Sequence, residues 1–297
     1  MPRSMKLGLV QMQMSEAPEE NLEKALALTR DAADQGAEVV CLPELFLSHY
    51  FCKTESTGPF AMAEAIPGPT TKAFEDLAAE KDIAIVVSLF EKRTEGLYHN
   101  TAAVIDGSRG YIGKYRKMHI PDDPLFYEKY YFAPGDLGFK NFETDRGNLG
   151  VLICWDQWYP EAARLTAIRG AEVLFYPTAI GWHRHEKATH GDAQRDAWIT
   201  SQRAHAIANG CFVVSVNRIG YEATPGATDP DDGIEFWGSS FVVAPDGRIL
   251  QQASTDQEEI LIVEASLGSI AEQRHGWPFL RDRRIDAYDG IEKRFID

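Results

Sequence analysis

The chain has 297 residues, 44% hydrophobic and 25% charged, with a formal net charge of −15. That is ordinary globular composition, long enough to bury a large core. The acidic balance argues against nucleic acid and against an anionic membrane surface, both of which require basic patches, and no apolar stretch approaches the ~18–20 residues that span a bilayer.

Residues 7–12 read as a first strand rather than a secretory signal, and residues 21–35 as a helix with Leu22, Ala25, Leu26 and Thr29 on one face, capped by Gly36. A strand at 38–42 ends at Pro43-Glu44. A helix at 70–81 and a strand at 83–90 follow, then two strands at 100–105 and 111–115 around the hairpin loop Asp106-Gly107-Ser108-Arg109-Gly110. The apolar run Leu149-Gly150-Val151-Leu152-Ile153 predicts a buried strand that stops at Cys154, with a helix over 160–169 entered through Pro160-Glu161. Beyond it, 173–176 is strand, 192–209 helix closed by Gly210, and 211–217 strand. Strands 239–244 and 248–252 flank the turn Pro245-Asp246-Gly247, and strand 260–264 and helix 267–274 complete the core. The stretch 225–232, rich in Gly, Pro and Asp, reads as a solvated loop.

The order strand, helix, strand, helix, hairpin occurs about twice, before and after residue 145, with no low-complexity linker between. This predicts an α/β fold of two similar halves in one domain over 1–297, with a core at about 5–274. The tail from 275 shows no core face and is expected to pack on a partner subunit. The four cysteines, Cys41, Cys52, Cys154 and Cys211, form no C-x-x-C pair, which suits free thiols in a reducing cytoplasm.

Three reactive side chains stand directly after apolar strands: Glu44, Lys117 and Cys154. Strand ends in an open α/β sheet converge on one edge, where ligands bind. A carboxylate can take a thiol proton, the thiolate can attack a carbonyl-like carbon, and an ammonium can hold the developing oxyanion, with the Trp155 backbone N–H as a second donor. Each residue alone has a plainer reading: a buried cysteine is usually a small hydrophobe, and Lys117 within Lys114-Tyr115-Arg116-Lys117 could belong to a solvated basic face.

Together, Leu-Pro-Glu-Leu-Phe at 42–46, Tyr-Arg-Lys-Met-His-Ile-Pro-Asp at 115–122 and Cys-Trp-Asp-Gln-Trp-Tyr-Pro-Glu at 154–161 resemble the nitrilase superfamily of carbon–nitrogen hydrolases. The resemblance covers nearly the whole chain in order. It implies a four-layer α-β-β-α sandwich, a Glu44–Lys117–Cys154 triad, Glu128 as a second glutamate that orients Lys117, no cofactor or metal, and assembly as a homodimer or higher homo-oligomer.

Members acting on N-carbamoyl amino acids carry an arginine just past the nucleophile, suited to bidentate capture of a carboxylate. Here Trp155, Asp156, Gln157 and Trp158 offer no cation. The implied substrate is a small cationic N-carbamoyl amine, N-carbamoylputrescine foremost, with another linear amide or N-carbamoyl compound as the alternative and a non-catalytic binding protein of the same fold as a second. Longer matches over 119–122, 127–135, 175–181 and 215–220 bring His119, Asp122 and Thr178 to the expected site. For the distal ammonium, Asp122, Asp123, Asp156 and Glu186 are candidates, with Trp155, Trp158 and Trp182 as aromatic walls; Asp156 equally suits a helix cap. Where that branch continues Ser-Glu-Pro after Ala179-Ile180-Gly181, this chain has Trp182-His183-Arg184-His185, expected as a flexible loop at the pocket. His183, His185, His190 and Asp192 suggest a metal on spacing alone, but a flexible loop supplies no tetrahedral geometry.

Overall fold

Alternation of apolar side chains along the first strands sorts them between two cores. In β1 (Ser4–Gln11), Leu7 and Leu9 face one apolar cluster and Val10 the other; in β2 (Val39–Cys41), Val39 and Cys41 oppose Val40 in the same way. The structure, a computed structural model, describes residues 3–296. Its first half runs β1, α1 (Pro18–Asp34), β2, α2 (Pro69–Lys81), then β3 (Ala84–Thr94), β4 (Leu97–Asp106) and β5 (Gly110–Arg116). After the short α3 (Glu128–Tyr131), the second half runs β6 (Asn141–Glu143), β7 (Asn148–Val151), α4 (Pro160–Ala167), β8 (Val173–Thr178), β9 (Gly181–His183), α5 (Arg184–Asn209) and β10 (Phe212–Asn217). It closes with β11 (Ile219–Ala223), β12 (Gly233–Trp237), β13 (Phe241–Val243), β14 (Ile249–Gln252), β15 (Glu259–Ser266) and α6 (Gly268–Gly276).

The expected duplication is present. One six-stranded sheet has the order β15-β1-β2-β3-β4-β5 and the other β14-β13-β10-β8-β7-β6. Each contains three parallel strands, β1-β2-β3 or β7-β8-β10, extended by antiparallel neighbours. Inner faces of both sheets share one apolar cluster, while α1 and α2 cover the outside of the first sheet and α4 and α5 that of the second, giving the α-β-β-α sandwich. A glycine in each sheet lets its outer layer approach closely: a Cβ on Gly8 would lie 3.4 Å from Ala32 Cβ of α1 and 2.8 Å from Ala37 Cβ in the turn that follows it, and one on Gly150 would lie 2.5 Å from Thr166 Cγ2 of α4.

Three departures from the predicted elements matter for function. The strand before Cys154 ends at Val151, because Asp156 Oδ2 accepts the Ile153 N–H (2.9 Å) and turns the chain into a 3₁₀ helix, Cys154–Trp158, ahead of α4. The predicted loop over 182–185 is β9 and the first turn of α5. Helix α5 begins at Arg184 rather than near 192: its first two turns are polar and carry no apolar stripe, and are anchored by Lys187 Nζ above the Trp182 ring (4.5 Å) and against Glu235 (2.6 Å). A third sheet, β11-β12-β9, is absent from the sequence reading, as is edge strand β6. These strands are short, and β9, β11 and β12 each contain glycine, so they lack the apolar alternation that marks a strand. Among the described residues, no helix is long and apolar enough to cross a membrane.

Candidate active site

Three turns deliver the reactive side chains to one place. β2 ends at Cys41, and the chain bends at Glu44-Leu45, where Leu45 has φ +48°. Lys117 directly follows β5, its N–H donating to Asn100 O (2.9 Å). Cys154 opens the 3₁₀ helix with φ +40°, a left-handed conformation that costs energy for a residue with a Cβ. The buried Asp156 holds that bend: Oδ2 accepts from Ile153 N and Tyr115 OH (2.9 and 2.8 Å), and Oδ1 accepts from His119 N (3.1 Å) and lies 2.7 Å from His119 Nδ1.

At the centre, Lys117 Nζ lies 2.9 Å from Glu44 Oε1 and 2.9 and 2.7 Å from Glu128 Oε1 and Oε2, all three side chains buried. Tyr50 OH donates to Glu128 Oε1 (2.6 Å) and Asn100 Nδ2 to Glu44 Oε1 (2.7 Å). Glu44 Oε2 is buried with no partner. The Cys154 thiol sits 3.7 Å from Ala179 O.

Burial disfavours the charged form of each group, and the neighbours decide which way it moves. For Lys117 burial lowers the pKa, but Glu128 and then Glu44 outweigh it, so the ammonium stays well above its ordinary value. Burial lifts the Glu128 carboxyl to about 7 against the pull of Lys117. Burial, then the Glu44 charge, push the Cys154 thiol well above its usual range while Lys117 opposes them. A thiol in that setting rests protonated and requires a base, and the unpartnered Glu44 oxygen is a base atom with free lone pairs. The Trp155 N–H, in the first turn of the 3₁₀ helix, has no acceptor within that helix.

Cys154 and Glu128 line a cavity of about 440 Å³ whose walls include Trp155, Trp158 and Phe126. Toward solvent it is bounded by Asp123, His183 and Glu186, and no lysine or arginine lines it among the described residues.

Other predicted site residues lie elsewhere. Asp156 is consumed as the cap and is inaccessible to a ligand. His119 stacks on Tyr159, ring centroids 3.7 Å apart, and supports Asp156. Asp122 is exposed and faces Lys129 Nζ at 3.9 Å. Thr178 is buried, its hydroxyl donating to Tyr176 O (2.9 Å) and its carbonyl accepting the Glu44 N–H (3.3 Å). Trp182 is turned inward against Trp237, its Nε1 donating to Gly191 O (2.9 Å). Of the histidine cluster, His183 ends β9 at the cavity while His185 faces Asp229 (3.4 Å); among the described residues no group of three or more His, Cys, Asp or Glu is arranged to hold a metal. The sequence pattern does not single out Asn100 and Tyr50. The one signal for Asn100 was a polar triplet, His99-Asn100-Thr101, at the start of an otherwise apolar strand.

A family model described as carbon–nitrogen hydrolase matches residues 6–275. N-carbamoylputrescine amidase of Oryza sativa subsp. japonica is 42% identical over 95% of this chain and 92% of its own length. Citrullinase of Francisella tularensis subsp. tularensis is 37% identical, over 98% of this chain and 99% of its own length. The crystal structure of a carbon–nitrogen hydrolase from Helicobacter pylori G27 matches with a TM-score of 0.95 at 44% identity, covering 99% of this chain and 100% of that one.

Proposed function

The chain belongs to the carbon–nitrogen hydrolase family, whose members cleave non-peptide C–N bonds, and from that premise we propose that it hydrolyses N-carbamoylputrescine to putrescine, carbon dioxide and ammonia. One observation carries the substrate: the cavity has the thiol and the buried Glu128 carboxylate at its floor, carboxylates Asp123 and Glu186 at its mouth, and no lysine or arginine between them among the described residues. A ureido group at Cys154 then leaves the distal ammonium facing acceptors, with aromatic walls along the methylenes.

In this reading Glu44 Oε2 takes the Cys154 proton and the thiolate attacks the ureido carbon. Lys117 and the Trp155 N–H stabilise the oxyanion, and Glu128, fixed by Tyr50, orients Lys117. Glu44 returns the proton to the departing nitrogen, leaving a carbamoyl thioester. A water that Glu44 deprotonates cleaves the thioester, restoring the thiol and releasing a carbamic acid that breaks down to carbon dioxide and an amine. Ureas are weak electrophiles, so the oxyanion donors matter, each worth about 3–4 kcal/mol when well placed.

The citrullinase relative suggests citrulline as a second substrate. Its α-carboxylate would enter a mouth holding two carboxylates and, among the described residues, no lysine or arginine, which disfavours it. Ammonia release from N-carbamoylputrescine and citrulline, with wild type and Cys154→Ala side by side, tests both points. Turnover of N-carbamoylputrescine by wild type alone is expected; release by Cys154→Ala sinks the nucleophile, and preference for citrulline sinks the substrate.

The reading extends to assembly and compartment. Residues 1–297 act as one domain, and the segment beyond 274 packs on a second copy, supported by exposed Trp277, Ile285 and Ile291 in that segment and by exposed Leu165 on α4 and Ile168 at its C-terminal cap. Light scattering of the full chain is expected to give a dimer or larger; a monomer at micromolar concentration rules this out. Four buried, unpaired cysteines support a reducing compartment, the cytoplasm.

A further inference from the structure

Behind the glutamates lies a buried ion cluster that the reaction leaves unused. Arg218, fully buried, reaches four acceptors: its Nη1 donates to Ser48 O (3.0 Å) and Glu222 Oε1 (2.9 Å), and its Nη2 to Glu44 O (2.7 Å) and Leu45 O (2.9 Å). Glu222 Oε2 in turn accepts from Lys53 Nζ (3.0 Å) and from the backbone N–H of Tyr50 (2.5 Å).

Two features give this arrangement a meaning beyond stability. Glu44 and Leu45 form the bend that ends with Leu45 at φ +48°, and in it both carbonyls converge on one guanidinium nitrogen. A planar fork can gather carbonyls and a carboxylate at once, which an ammonium on a flexible stem cannot do with the same geometry. The second feature is reach. Glu222 holds Tyr50 by its backbone, and Tyr50 OH holds Glu128, so one cluster touches the supports of both carboxylates that grip Lys117. Arg218 and Glu222 stand just before and within β11, which pairs with β12, whose last residue, Trp237, lines the substrate cavity. The cavity wall and the base are thereby tied to the same hairpin.

We propose that Arg218, held in place by Glu222, is a positioning residue for Glu44: it locks the Glu44–Leu45 bend so that Oε2 is presented to the Cys154 thiol. The inference rests on the reading of Glu44 as the base. Misplacing a base by a fraction of an ångström lowers the rate of proton removal while leaving the distant ammonium site untouched.

The test uses the full chain with Arg218→Lys and the isosteric Glu222→Gln, beside Glu44→Gln as reference. Steady-state kinetics on N-carbamoylputrescine are combined with the pH dependence of Cys154 alkylation by iodoacetamide. Both variants are expected to lose at least about tenfold in kcat with KM within about twofold, and to slow alkylation by a similar factor at each pH. A purely structural role would lower the melting temperature but leave kcat per folded molecule and the alkylation profile unchanged. A folded variant with kcat within about twofold of wild type therefore overturns the proposal. If Arg218→Lys does not fold, Glu222→Gln decides by the same readouts, and failure of both to fold assigns the cluster to stability alone. Activity retained in Glu44→Gln would instead refute the base, a separate failure that the reference variant identifies.

Discussion

At the cavity floor Glu128, with Lys117 and Glu44 behind it, is buried and gripped by short contacts, whereas at the mouth Asp123 and Glu186 are exposed and Glu186 has Gln194 Nε2 as a neighbour at 3.4 Å. Both regions are acidic, yet they obey different physics. Charges at the floor have left water and persist because each faces an opposite charge or a hydrogen-bond donor. Those at the mouth remain hydrated, cost little while empty, and gain a partner only when a cation arrives. In the proposed function the floor carries the reaction and the mouth selects the substrate, which permits one to vary without disturbing the other.

The largest break in that contrast is Lys117→Met. Removing the one cation between two buried carboxylates is expected to abolish turnover and to cost about 3–5 kcal/mol of stability, measured by urea denaturation. Loss of activity with unchanged stability would mean that the floor is more hydrated than its burial indicates. Next comes Glu186→Gln at the mouth, expected to raise KM for N-carbamoylputrescine about tenfold, equivalent to about 1.4 kcal/mol, with kcat and folding retained. A neutral analogue, N-carbamoylbutylamine, should show no such change; an equal change for both substrates would remove Glu186 from ammonium recognition.

A third test sharpens the comparison through pH. Glu128 is raised by burial to about 7, so the folded chain holds a proton that the unfolded chain releases nearer its ordinary 4.5. Its stabilising contribution is fully present below about pH 4.5 and is lost as pH rises through about 7. Glu128→Gln should flatten the fall in melting temperature over that interval, followed by calorimetry. An unchanged pH profile would show that Lys117 keeps Glu128 ionised throughout.

The opposed legibility of floor and mouth has the same origin. Glu44, Lys117 and Cys154 were visible because each follows an apolar strand with local periodicity, and strand ends in such sheets gather at one edge. Glu128 and the sandwich were legible through resemblance. The mouth was not: Asp123 and Glu186 could not be told from Asp122 and Asp156, because adjacent carboxylates differ only in where the chain points them.

Alternation of apolar residues, together with glycine and proline at turns, determined by itself the two halves, their order, and the convergence of a thiol, a carboxylate and an ammonium. Tertiary structure alone decided that Asp156 caps the nucleophile bend, that Asn100 leaves one Glu44 oxygen free, and that β9, β11 and β12 form a third sheet. Secondary structure follows from patterns a few residues long. A lone pair left unpartnered, or a cavity wall built from strands dozens of residues apart, exists only once those segments have met.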